Sequence, residues 1–186
     1  MIPAVILAAA LRVAFVGDSI TASHYPEIAA SALHTRLYRY AIPGADTRRI
    51  AHLVDRALKI HPTHVVLFAG INDCSKVARP DPYAIFDRIA RMVSRILDAG
   101  AIPIVVGLHR TPGNRGITAN CEDVVNIQLC DFPVGVRRVG WEGPRGMTNQ
   151  DGELYDRYDA GDGIHPNYEG QKKLAAMVVA AIKEKP

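Results

Sequence analysis

The sequence predicts an α/β domain: a parallel sheet with helices on both faces, a three-layer α/β/α sandwich. Three observations carry this. Short continuous apolar runs at Val13–Val16, His64–Ala69 and Ile102–Leu108 have the length and composition of strands covered on both sides. Between them lie segments whose apolar residues recur at three- and four-residue spacing, the signature of amphipathic helices. Strand and helix therefore alternate, which calls for parallel pairing and right-handed crossovers.

Taken in order, Val13–Val16 ends at Gly17-Asp18-Ser19, where glycine lets the chain turn and serine stands either as a helix cap or as a nucleophile. Pro26 suits a first helical turn, and Ile28, Ala29, Ala32 and Leu33 give the following short helix a weak apolar face. Arg36–Ile42 alternates roughly as a strand and stops at Pro43-Gly44. Asp46 or Thr47 caps a helix with Ile50, Leu53, Val54, Ala57 and Leu58 on one side. His64–Ala69 ends at Gly70-Ile71-Asn72-Asp73, read as a turn. Asp81-Pro82 opens a third helix bearing Ile85, Ile89, Met92, Val93 and Ile96, closed by Gly100. After the Ile102–Leu108 strand the pattern loosens, with a helix expected at Glu122–Leu129 and a fifth strand at Val134–Val139. Asn167 caps a last helix, expected to pack beside the first strand. The result is five parallel strands in the flavodoxin-like order 2-1-3-4-5.

The 186 residues suit one domain with a core of its own, so the whole chain 1–186 is read as a single unit. Residues 1–11 are read as an apolar N-terminal arm or the remnant of a targeting segment; they lack a basic leader and are too short to span a membrane. With 22 basic and 19 acidic residues the net charge is +3, too weak to argue for nucleic acid. Cys74, Cys121 and Cys130 lack metal-ligand spacing and are read as reduced, with a Cys121–Cys130 bridge as the alternative. Reduced thiols favour a cytoplasmic address, a secreted form being the alternative if a leader was removed. No transmembrane segment is expected, and oligomeric state is open.

In a parallel sheet Ser19, Gly44 and Asn72, each just past a strand, should meet along one edge. Taken singly, each also suits a cap or a turn. A fourth element, Asp162-Gly163-Ile164-His165-Pro166, precedes the last helix. A three-residue spacing across a turn lets the carboxylate bind Nδ1 of the histidine and leaves Nε2 free to accept a serine proton, though a self-bonded turn reads equally well.

The order Gly-Asp-Ser at 17–19, glycine at 44, Gly-x-Asn-Asp at 70–73 and Asp-x-x-His-Pro at 162–166 resembles the SGNH, or GDSL-type, hydrolase superfamily, from Val13 into the last helix. Isoleucine stands at position 20 where the family name has leucine. The resemblance implies Ser19 as nucleophile, His165 as general base and Asp162 as its orienting carboxylate. It also implies an oxyanion hole from Ser19 N–H, Gly44 N–H and the Asn72 amide, with no metal and no cofactor. Gly-x-Ser-x-Gly is absent around Ser19, and so is the P-loop pattern.

Around these, Asp18 and Asp73 are expected to hold loops through backbone bonds, Asp159 is a less natural partner for His165, and Cys74 reads as packing. His24, His109 and Ile164 are candidate substrate contacts. Arg110, Arg115, Arg137, Arg138 and Arg145 with Trp141 read as a solvated loop, the alternative being a site for an anionic sugar or phosphate. No long apolar insertion could sheath a fatty chain, which favours a short acyl group such as acetyl on a carbohydrate or small alcohol. The leading function is thus a serine esterase acting on a small-molecule or glycan ester. A thioesterase, lysophospholipase or acyltransferase would use the same site. From other classes come an FMN-binding module, whose phosphate loop Ser19–Ser23 loosely mimics, and a non-enzymatic binding domain.

Overall fold

The computed structural model describes residues 10–76, 79–111, 117–143 and 146–184. Five parallel strands, β1 (Val13–Gly17), β2 (Tyr38–Ala41), β3 (His64–Phe68), β4 (Ile102–Val106) and β5 (Arg137–Val139), form one sheet in the order β2-β1-β3-β4-β5. The expected fold class and strand order are therefore observed. All five residues of β1 are buried, as are the last four of β3 and β4.

The helices are α1 (Tyr25–Ala32), α2 (Thr47–Leu58), α3 (Ile71–Lys76), α4 (Pro82–Asp98), α5 (Ile117–Leu129) and α6 (Tyr168–Lys183). Helices α1 and α6 pack together, while α2, α4 and α5 form the other layer. Asp46 caps α2 by accepting Arg49 N–H at 2.9 Å, and Asp81 caps α4 by accepting Tyr83 and Ala84 N–H, with Pro82 supplying the preset first turn. The Asn167 side chain caps α6 through Gly170 N–H.

Several expectations give way. α6 packs chiefly on α1, β4 and β5, not beside β1. Ile71, Asn72 and Asp73, read as part of a turn, open α3, which runs on to Lys76: six residues are too few to show a helical period. The fifth strand shrinks to 137–139, because Gly135 takes φ +104° and Val136 N–H closes a turn onto Pro133. α5 starts five residues before Glu122. The cysteines are neither all reduced nor joined as Cys121–Cys130: Cys74 on α3 and Cys121 on α5, both buried, form a disulfide, and Cys130 is free and exposed. α3 and α5 pack directly on each other, so side chains 47 residues apart meet there.

The stretch after β4 is more ordered than a solvated loop. Arg110 forms an ion pair with Asp123, and Arg137 donates to the Ala181 and Ile182 carbonyls at the end of α6. Trp141 is buried against Phe68 and donates its indole N–H to the Gly107 carbonyl, so it offers no aromatic face to a sugar. Arg115 and Arg145 lie outside the described residues. Among those residues, no helix is long and apolar enough to cross a membrane.

Candidate active site

The site lies beyond the ends of β1, β2 and β3, closed by the loop before α6. Gly17 is required at the end of β1 by close approach, a different reason from a turn. Its φ is not positive, but a Cβ there would stand 2.7 Å from the Phe68 carbonyl and closer still to Thr21 Oγ1. The next residue, Asp18, takes the capping role: its Oδ1 accepts Ile20 N–H at 3.0 Å and its carbonyl accepts Ala22 N–H. Ser19 is thereby left free of capping.

Ser19 Oγ lies 2.8 Å from His165 Nε2, and His165 Nδ1 lies 2.6 Å from Asp162 Oδ2. The other Asp162 oxygen accepts Ile164 N–H at 2.9 Å and His165 N–H at 2.8 Å, so carboxylate and imidazole are fixed within one turn. Partial burial alone would raise the Asp162 carboxyl, but the hydrogen bonds from His165 and Ile164 outweigh it and bring it down to about 2. It is ionised across the working range. An ionised acceptor on Nδ1 holds the tautomer whose Nε2 can take a proton from Ser19.

Asp159 does not compete for His165. It accepts Gly163 N–H at 2.9 Å, and Ala160 N–H donates to the His165 carbonyl, so this segment braces the loop from behind.

Gly44 takes φ +73°, a left-handed conformation, and a Cβ there would come within 2.8 Å of Lys76 Nζ. Among the described residues, neither Ser19 N–H nor Gly44 N–H is spent on a backbone acceptor. Asn72, on the first turn of α3, donates Nδ2 to the Ala45 carbonyl at 3.0 Å and to Asp18 Oδ2 at 3.2 Å. Its neighbour Asp73 receives Thr47 N–H at 2.8 Å, Thr47 Oγ1 at 2.7 Å and the Arg88 guanidinium. The start of α2 is thus locked to α3, and the Gly44–Ala45 turn to Asn72. Thr47 and Arg88 were not recognisable as part of this lock, because neither lies in a motif.

Burial pushes Asp18 up to about 7, against the lowering effects of Ile20 N–H, His165 and Lys76. His109 is not an exposed substrate contact but a buried ring, 1 % exposed, 4.7 Å from the Trp141 ring centroid. Burial lowers it to about 4, with the Ile164 backbone opposing, so it is a neutral support beside the Asp162–His165 loop. His24 is exposed beside Tyr168 at the seam of α1 and α6, and Ile164 packs its half-buried side chain against the core. Among the described residues, no group of three or more His, Cys, Asp or Glu side chains could hold a metal ion.

This arrangement can move a proton from a hydroxyl to an imidazole while backbone and amide N–H groups lie close by, which is what acyl transfer requires. Solved structures share the fold. A GDSL-like lipase from Bacteroides thetaiotaomicron VPI-5482 matches with TM-score 0.76 and 21% identity, over 92% of this chain and 87% of that one. A lipase/acylhydrolase from Enterococcus faecalis matches with TM-score 0.75 and 19% identity, over 93% and 95%. No curated protein matches the sequence. At such identities the structures establish the fold alone; membership comes from the sequence itself, which fits the model of the GDSL-like lipase/acylhydrolase family across residues 15–173, all four motif blocks included and the greater part of α6 left out. The chain belongs to the GDSL-like lipase/acylhydrolase family.

Proposed function

We propose that the protein is a serine esterase that hydrolyses a carboxylic ester through an acyl-enzyme on Ser19. The observation that carries the reading is the continuous chain Ser19 Oγ, His165 Nε2, His165 Nδ1, Asp162 Oδ2, with links of 2.8 and 2.6 Å. Ser19 Oγ attacks the ester carbonyl carbon while its proton passes to His165 Nε2. The carbonyl oxygen becomes an oxyanion facing Ser19 N–H, Gly44 N–H and Asn72 Nδ2, of which the longer Asn72 bond, to Asp18, is the one most easily exchanged for substrate. The C–O bond to the alcohol breaks as His165 returns the proton to the leaving oxygen. Water, deprotonated by the same histidine, then releases the acid.

A short acyl group fits the absence of a long apolar insertion. The same site would serve a thioesterase or acyltransferase, since only the leaving atom or the acceptor changes. Hydrolysis of 4-nitrophenyl acetate and octanoate by the wild type and Ser19→Ala tests the proposal. Acetate should be the better substrate, and Ser19→Ala should lose about 10³-fold or more in kcat. Equal activity of the two proteins overturns it.

A further inference from the structure

A cleft of about 500 Å³ opens from the proposed oxyanion hole, with Gly44 and Asn72 in its wall. Ser19, Asp162 and His165 do not line it. The wall also carries more cationic than anionic side chains, among them Arg48 and Arg49 from the first turn of α2, Lys76 from the end of α3, and Arg79 from the connection to α4. Among the described residues none of these four is ion-paired with a carboxylate. Arg88 also reaches the cleft, but it and Asp73 neutralise each other at 3.2 Å. The other carboxylates in the wall, Asp46 and Asp81, are turned to the backbone N–H groups of α2 and α4 as caps. Lys76 Nζ donates one N–H to the Gly44 carbonyl at 3.2 Å, which fixes an ammonium beside the hole and leaves its other N–H groups for a ligand.

Geometry decides which part of a substrate enters. The leaving oxygen must stand at His165 Nε2 to receive its proton, and the carbonyl oxygen must face Ser19, Gly44 and Asn72. The cleft is lined by Gly44 and Asn72 and not by His165, so of the substrate's two arms the acyl group, and not the alcohol that must reach His165, is the one assigned to it. We propose that it is an acyl subsite for esters whose acyl part ends in an anionic group, a half-ester of a short dicarboxylic acid being the simplest case. Hydrolysis then consumes one water and yields the free alcohol and a dicarboxylate. The inference rests on the esterase reading above. It also explains how a short acyl chain could be held with no apolar sheath, because guanidinium groups bind a carboxylate where apolar area is lacking.

The test compares kcat/KM for 4-nitrophenyl butyrate, 4-nitrophenyl hemisuccinate and O-acetylglycolate, whose anion lies on the alcohol side, in the wild type and in Arg49→Gln/Arg79→Gln. The wild type should prefer hemisuccinate over butyrate by roughly tenfold or more, the scale of a charge-assisted contact. The preference should shrink at high salt and vanish in the double variant while butyrate turnover stays unchanged. Equal kcat/KM on butyrate and hemisuccinate overturns the subsite and leaves the esterase reading standing, and so does a selective gain on O-acetylglycolate. Failure of the wild type to hydrolyse any of the three overturns both.

Discussion

Asn72 Nδ2 donates to Oδ2 of the buried Asp18 at 3.2 Å, across 54 residues of sequence. The contact couples the residue before the proposed nucleophile to the side-chain donor of the proposed oxyanion hole. Held also by the Ala45 carbonyl, the amide stays in place while its Asp18 bond is exchanged for the oxyanion, so the amide itself need not be repositioned as charge develops on the substrate. Asn72→Ala should therefore lower kcat by about 10²-fold with a small change in KM. Steady-state kinetics on 4-nitrophenyl acetate separates the two parameters, and a rise in KM at constant kcat would make Asn72 a substrate anchor.

Asp18 and His109 impose opposite pH dependences on stability. Asp18 rises on folding from the ordinary carboxyl value to about 7, so between pH 4 and 7 the folded state holds more protons than the unfolded state, and stability falls as pH rises. His109 drops from 6.5 to about 4 on folding, so in nearly the same window the unfolded state holds more protons, and stability rises. Glu122, pushed up to about 7 by burial, adds to the Asp18 side. Urea unfolding at pH 4.5, 6 and 8 should show Asp18→Asn gaining on the wild type by up to a few kcal/mol as pH increases. His109→Phe should lose ground over the same range. A constant offset between either variant and the wild type would contradict the account.

How much of this could be read from residues alone follows from how local each signal is. Ser19, Gly44, Asn72 and the Asp162–His165 pair each sit at the end of a recognisable strand or before a recognisable helix, and parallel topology then places them on one edge. Long-range pairings left no such trace. Cys74 meets Cys121 only because α3 packs on α5, and α3 was too short to be seen. His109 and Trp141 looked like loop residues because Gly, Pro and Arg surround them; both are buried where residues 146–154 fold back through the Thr148–Leu154 and Arg110–Glu153 bridges. The cationic cleft is assembled from three separate places in the chain, the first turn of α2, the end of α3 and the connection to α4, with Arg48 and Arg49 looking like an ordinary exposed helix face.

Asp162 should matter for chemistry over a wider pH range than a free carboxylate. Its folded value near 2 lies below its ordinary 3.8, so its contribution to stability is fully present above the ordinary value and lost as pH falls through about 2. Asp162→Asn should keep the Ser19–His165 contact but present N–H instead of an acceptor to Nδ1, and kcat should fall by about 10³- to 10⁴-fold. Below pH 3 the stability difference between Asp162→Asn and the wild type should close. A difference that stays constant from pH 7 to 2 would exclude the ionised pairing.

The Cys74–Cys121 bridge closes a loop across 47 residues, a length for which restricting the unfolded chain is worth about 4 kcal/mol at most. Denatured without reductant, the chain should show one reactive thiol, Cys130, and three after reduction. Cys74→Ala/Cys121→Ala should lower the unfolding free energy by about 2–4 kcal/mol. Activity is a separate matter. Cys74 lies two residues beyond Asn72, yet α3 is also tied to α2 by Asp73 through Thr47 and Arg88. If that polar lock positions Asn72, the double variant well below its melting point should keep kcat within about threefold of the wild type, whereas Thr47→Val, which removes both hydroxyl bonds of the lock, the one to Asp73 and the one from Arg88, should reduce it by more. The reverse ranking would make the disulfide, and not Asp73, the element that holds Asn72 in place.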